Sequence, residues 1–256
     1  MLFQLNSTYL LYTLPNGVVY GAALEGLIKL NPHAKIFNFN ELKIENSQYS
    51  NQFHFSKIFE DTSHHSIYFA TLFGNGFNVM NKKTGEIDNY PVDYSRVPKE
   101  KFMKVFDATQ DDEGNIWVVG NTDVYEFKGL KKQLIKLVDP FQKEEQDSNY
   151  IVSRIIKDKD GTLWILTNKG GLHTFDPLKK KISPRLNNSL NKYKLPTYIL
   201  KMECSPKGQI WLGSKTDIVY FDKENLHTVY IDNEVYHEKI KDGFSTMSLD
   251  TSVMLG

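Results

Sequence analysis

Apolar and polar positions along the chain alternate with a period of two over short runs, broken every few residues by polar turns. The run Tyr150–Asp158 alternates, and so do Thr162–Thr167, Leu172–Asp176 and the start of Lys181–Ser183. Period two puts successive side chains on opposite faces, so each run predicts a strand. The tight "KDG" turn between the first two runs predicts a hairpin. No stretch of twelve residues carries a helical stripe. Charge runs such as Lys143–Asp147 lie between strands and read as solvated loop.

The same four-run pattern recurs. Trp117, Trp164 and Trp211 are spaced 47 and 47 residues apart, in "DDEGNIWVVGNTDVYEF", "DKDGTLWILTNKGGLHTFD" and "SPKGQIWLGSKTDIVYFD". Steps of 49 backwards reach Tyr68 in "HSIYFATLFGNGFNVMN" and Val19 in "PNGVVYGAALEGLIKLN". Five repeats of 47–49 residues, each of four short strands, predict an all-β protein: a β-propeller of four-stranded blades. A single blade cannot bury both faces, so blades stack and share their cores. Val19, Tyr68, Trp117, Trp164 and Trp211 are therefore expected in the repeat core.

The expected blades cover about 8–40, 55–92, 103–138, 150–183 and 197–232. Residues 1–5 and 245–255 read as partial strands of further blades. The chain is accordingly expected to be an incomplete piece of a longer propeller.

Composition narrows the function. Of 256 residues, 31 are basic and 31 acidic, with a pI near 7.1, so no net field favours nucleic acid. No apolar run is long enough to insert this segment in a membrane as a helix. Cys204 is the single cysteine, which excludes an internal disulfide and a cysteine metal cluster. The first residues lack a basic region and a small-residue cleavage site, so no signal peptide is read in this segment.

Candidate chemistry is sparse. The "NKGG" turn leads into a strand, whereas a phosphate loop needs a following helix N-terminus. Gly26, Gly76 and Gly171 are expected to supply positive φ in these turns. His33, His54, His64, His65, His173, His227 and His237 show no metal-ligand spacing, and His173 is expected half-buried on a blade face. The acids of "DDEG" and "DKDG" are explained by turn chemistry. Cys204 is placed loosely with Asp111 and reads as a small buried hydrophobe. No catalytic residue, metal or cofactor is predicted.

The longer connections enter first strands, at 91–101, 139–150 and 183–197. All three arginines of the sequence map to this long-loop side, with several tyrosines. Tyr94, Arg96, Tyr150, Arg154, Arg185, Tyr193 and Tyr198 are the ligand-binding candidates, because Arg and Tyr suit sugars through forked hydrogen bonds and stacking.

The pattern D-x-x-G-x-(L/I)-W-(I/V), followed by G-(L/I)-x-x-(F/Y)-(D/N), resembles the two-component regulator propeller repeat. It stands most fully at Asp158–Asp176, then at Asp111–Phe127 and Cys204–Asp222, with degenerate forms at Asn16–Asn31 and Asp61–Asn81. The resemblance implies the periplasmic sensor region of a membrane-anchored hybrid histidine kinase of the Bacteroidetes type. In that family two propellers precede an immunoglobulin-like domain, a membrane span and a kinase, and the usual ligands are oligosaccharides. The implied partners are an oligosaccharide, the remainder of a sensor kinase and a dimer partner. The family repeat carries over no catalytic residue, so no enzyme activity is expected here. The competing expectations are a propeller lyase acting on a polysaccharide or antibiotic, and a protein-interaction scaffold.

Overall fold

The structure is a computed structural model. It describes residues 8–14, 16–23, 26–31, 36–41, 55–61, 65–71, 76–90, 105–120, 123–131, 133–137, 151–167, 171–186, 199, 201–214, 218–222 and 225–229. The proposed partial strands at 1–5 and 245–255 lie outside the described residues.

The protein is all-β, built from five four-stranded antiparallel sheets of the propeller-blade type. The first holds β1 (Thr8–Thr13), β2 (Val19–Ala23), β3 (Gly26–Asn31) and β4 (Ile36–Glu41). The second holds β5 (Phe55–Asp61), β6 (Ser66–Thr71), β7 (Phe77–Asn81) and β8 (Ile87–Tyr90). The third holds β9 (Val105–Gln110), β10 (Ile116–Gly120), β11 (Asp123–Lys128) and β12 (Gln133–Lys136). The fourth holds β13 (Val152–Lys157), β14 (Leu163–Thr167), β15 (Leu172–Asp176) and β16 (Lys181–Leu186). The fifth holds β17 (Lys201–Cys204), β18 (Ile210–Gly213), β19 (Ile218–Asp222) and β20 (Asn225–Val229). Strands follow one another across each sheet in sequence order. The only helical element among the described residues is a 3-10 turn, Gly129–Lys131.

Chain contacts divide the protein into two compact units, Met1–Lys136 with three blades and Leu137–Gly256 with two. In the first unit, Leu14, Val18, Tyr20 and Leu27 of the first blade share a core with Phe55, Ile58, Ile67, Phe69 and Met80 of the second. Tyr68, Ala70, Phe77 and Tyr90 likewise pack with Val105, Ile116, Val118, Tyr125 and Phe127 of the third. In the second unit, Ile156, Trp164, Leu166 and Leu172 pack with Met202, Ile210, Leu212, Val219 and Phe221. Within each unit the apolar core thus lies between adjacent blades, and every residue of β10 and β14 is buried.

One interaction explains the spacing of turn and aromatic. The hairpin turn is closed by Asp111 N–H donating to the Asn115 carbonyl and Gly114 N–H donating to the Asp111 carbonyl. Asp111 Oδ1 accepts the Asn115 N–H, and its Oδ2 accepts the Trp117 indole N–H at 2.7 Å. Asp158 repeats this, taking the Thr162 N–H and the Trp164 indole, the latter also at 2.7 Å. The buried indole nitrogen therefore keeps a partner while its ring is removed from water. Tyr68 OH donates to Asp61 in the second blade at 3.2 Å. Ser205 replaces the acid in the fifth, and the Trp211 indole turns to Gln209 Oε1 at 3.4 Å.

The first blade departs from the sequence expectation by one residue. Gly17 N–H bonds Leu14 as Gly114 bonds Asp111, and Tyr20 pairs with Tyr12 and Lys29 as Trp117 pairs with Thr109 and Glu126. Tyr20, not Val19, holds the tryptophan register. Tyr20 is fully buried and Val19 half-buried. Counting back 49 from Tyr68 overshot that register because the interval between the first and second blades, Tyr20 to Tyr68, is one residue shorter than that from Tyr68 to Trp117. Tyr68, Trp117 and Trp164 are buried, whereas Trp211 is half-buried, not the enclosed core residue expected.

Candidate functional site

The first strands of neighbouring blades lie against one another, β1 with β5, β5 with β9 and β13 with β17, and β9 also lies against β6. The opening of these strands is irregular in the same way each time. Register shifts leave one extra residue, Tyr9, Ser56, Phe106 and Ser153, in β1, β5, β9 and β13. A bulge re-aims the side chains that follow it. The residue after it is Leu10, Lys57, Asp107 and Arg154, and Lys201 holds the same register opposite Gly213.

This position is charged in four of five blades. In the first unit, Lys57 Nζ lies 3.4 Å from Asp107 Oδ1, with the lysine one-third exposed and the acid buried. Asp107 Oδ1 also accepts the Ala108 N–H, and Ser56 Oγ donates to the Val105 carbonyl. One hydrogen bond and an ion pair thus tie β5 to β9. In the second unit both equivalents are cations. Arg154 is half-buried, with Nη1 donating to the Ser153 carbonyl at 2.7 Å, and Lys201 is half-buried on the neighbouring strand. This cationic edge is the candidate ligand site.

Of the sequence candidates, Arg154 alone has a described side chain. Arg185 falls within β16, between the pairs His173–Pro184 and Leu172–Leu186, and only its backbone is described. Tyr94, Arg96, Tyr150, Tyr193 and Tyr198 lie outside the described residues. Lys57, Asp107 and Lys201 were missed. Their signal was present: 107, 154 and 201 are spaced 47 and 47, like the tryptophans.

Several other candidates resolve into structure. His173 is 1% exposed, not half-buried, and pairs across the sheet with Ile165. Burial alone pushes its pKa down to about 4. Gly76 has a positive φ as expected, but Gly171 does not. Gly171 is needed for another reason: a Cβ there would sit 2.4 Å from His173 Nε2 and 2.9 Å from Thr167 Oγ1. Its N–H donates to Thr167 Oγ1 at 3.1 Å, so "NKGG" ends in a backbone clasp, not a phosphate cradle. Gly26 opens β3. His65 occupies a turn with φ 56°, and His64 lies outside the described residues. Cys204 aligns with Gln110, since Ser205 takes the Asp111 position; its thiol is half-buried and burial raises its pKa. Among the described residues no three His, Cys, Asp or Glu side chains converge to hold a metal.

Residues 146–169 match the model of the two component regulator propeller family. No curated protein matches the sequence. Among solved structures, the chain is similar to the extracellular domain of a protein assigned as a hybrid two component system from B. thetaiotaomicron. The identity is 20% and the TM-score 0.64, over 89% of this chain and 29% of that one. A second such extracellular domain from the same organism gives 14% and 0.63, over 91% and 29%. Virginiamycin B lyase from Staphylococcus aureus gives 12% and 0.67, over 90% and 71%. The chain spans less than a third of the length of the two extracellular domains. At these identities the likeness is one of fold. The chain thus has the β-propeller fold and carries, at 146–169, the two-component regulator propeller repeat.

Proposed function

We propose that the chain is the ligand-sensing propeller segment of an extracytoplasmic two-component receptor and performs no chemistry itself. The observation that carries this reading is the family match at 146–169, on a fold shared with extracellular domains of that system type. The kinase and the membrane anchor belong, in this reading, to other parts of a parent chain; among the described residues no helix is long and apolar enough to cross a membrane. The ligand class is an oligosaccharide, preferably one bearing carboxylates. Arg154 and Lys201 occupy equivalent positions on adjacent first strands, where Lys57 and Asp107 come within 3.4 Å of each other. An acid group held between two cations gains charge-assisted hydrogen bonds, and the guanidinium supplies a fork for it.

Calorimetry with oligogalacturonate and a neutral oligosaccharide of equal length tests the proposal. Wild-type protein should bind the acidic sugar more tightly. Arg154→Ala should weaken that binding by about tenfold, the equivalent of one 1.4 kcal/mol contact. Arg96→Ala and Tyr150→Ala should also weaken it if the long loops join the site. Absence of binding across both sugars, or affinity unchanged from wild type in all three variants, removes the reading.

A lyase has one observation in its favour, the fold likeness to virginiamycin B lyase. The described histidines lie on separate elements: His65 in a turn, His173 in β15 and His227 in β20. Consumption of virginiamycin B by the purified chain, followed by chromatography, would favour that second reading.

A further inference from the structure

The seam between the second and third blades is latched where the first strands open. Ser56 Oγ on β5 donates to the Val105 carbonyl on β9 at 2.6 Å, and Lys57 Nζ lies 3.4 Å from Oδ1 of the buried Asp107. Both ties cross from one blade to the next. Both depend on the bulge in β5, which supplies the serine and re-aims the lysine after it.

The seam between the fourth and fifth blades has the same strands but different chemistry. β13 lies against β17 as β5 lies against β9. Ser153 is the counterpart of Ser56, yet its Oγ donates to the Leu166 carbonyl on β14, inside its own sheet, at 3.2 Å. Arg154 is the counterpart of Lys57, and its Nη1 donates to the Ser153 carbonyl of its own strand. Lys201 puts a cation where Asp107 puts an acid. Two half-buried cations at this pair of positions repel each other, and partial burial limits screening by salt. Elsewhere the seam is held by other means. Ile156, Trp164 and Leu166 pack with Met202, Ile210 and Leu212. The Lys159 stem crosses the fifth blade's turn, where a Cβ on Gly208 would sit 2.6 Å from its Cε. The charged pair therefore decides how the opening end sits, not whether the blades pack.

We infer that Lys201 makes this seam ligand-dependent: the acid group of the bound ligand takes the place of the Asp107 carboxylate, bridges Arg154 and Lys201, and draws β13 onto β17. The inference rests on the reading of these two cations as an acidic-sugar site. It adds what binding does, since ligand capture and closure of the seam become one event. A ligand shifts an equilibrium only by the difference in its affinity for the two states. Here the carboxylate supplies that difference, because it reaches both cations at once only across a closed seam. A neutral sugar of equal length leaves the seam open.

Hydrogen–deuterium exchange with mass spectrometry, on the full-length chain, follows the amides of β13 and β17. Saturating oligogalacturonate should slow their exchange in wild-type protein by about tenfold, the response of a local opening suppressed by ligand, and a neutral oligosaccharide should not. Lys201→Asp supplies the missing acid from the chain itself. It should slow the same amides to a similar degree without sugar and abolish the further effect of oligogalacturonate. Arg154→Asp, which pairs opposite charges in the reverse order, should do likewise, whereas Lys201→Ala should not. Exchange as fast as in ligand-free wild type, in whichever aspartate variants fold, overturns the inference. So does calorimetric binding of oligogalacturonate by wild-type protein with unchanged exchange at β13 and β17; the acidic-sugar reading then stands without it. Failure of wild-type protein to bind either sugar removes the acidic-sugar reading and the ligand's part in the seam, even where the aspartate variants close it.

Discussion

Asp111 and Asp158 each serve a turn and an indole with one carboxylate. Replacing Asp158 with Ala orphans the Trp164 N–H and opens the hairpin, so it should cost about 2–3 kcal/mol of unfolding free energy in urea titrations. Asp158→Asn, which keeps an acceptor, should cost clearly less. His173 yields a pH prediction. Its folded pKa, about 4, lies below the unfolded value of about 6.5. Between these values the unfolded chain binds the extra proton, so stability falls as pH drops from 6.5 to 4. Below that the loss is complete, at roughly 3 kcal/mol for this one group. His173→Val should flatten this part of the curve, measured as the melting temperature against pH. Valine is the natural choice because Val219 holds the same register in the fifth blade.

At the scale of the element, the hairpins are the most legible feature of the sequence. The fourth blade's strands begin and end within two residues of the alternating runs that predict them up to Asp176. Period two and the D-x-x-G turn each specify the same register, so local and long-range signals agree. The first-strand bulges were not legible. An inserted residue such as Ser153 or Ser56 leaves no mark in an apolar pattern, yet it sets where Arg154 and Lys57 stand. Val19 illustrates the other failure: a one-residue difference in the interval between blades shifts the count, and the hairpin hydrogen bonds restore it. Glycines also divide by mechanism. Gly114 has φ 85°, so Gly114→Ala should cost about 1 kcal/mol through backbone strain. Gly171→Ala faces a collision with His173 instead. Its cost should shrink in the His173→Val background, while that of Gly114→Ala should not. A double-mutant cycle reads the difference.

At the scale of the whole molecule, the fold class was readable because the same four-strand pattern is written five times. The ligand site was only partly so. The candidate loops 91–101, 139–150 and 183–197 do not repeat, and without a repeated register nothing in the sequence says which residues converge. Arg154 was found as an arginine near a loop, whereas Lys201 was overlooked as one lysine among many. Position within the repeat, not residue type, links the two. If they act together, Lys201→Ala should weaken acidic-sugar binding as much as Arg154→Ala, while Lys57→Ala should leave it unchanged. Calorimetry on the three variants checks this.

The contact of Phe221 with Trp164, and of Phe127 with Tyr68, has an evolutionary consequence. Both joints are made between a second strand and the third strand of the next blade, and the tryptophans of the three clearest repeats are spaced 47 residues apart. A gene segment of 47 codons could be duplicated or lost by unequal recombination at any of these joints. Every surviving junction would still bring a ring and its cap together. Propellers of this kind can change their number of blades without having to evolve a new seam.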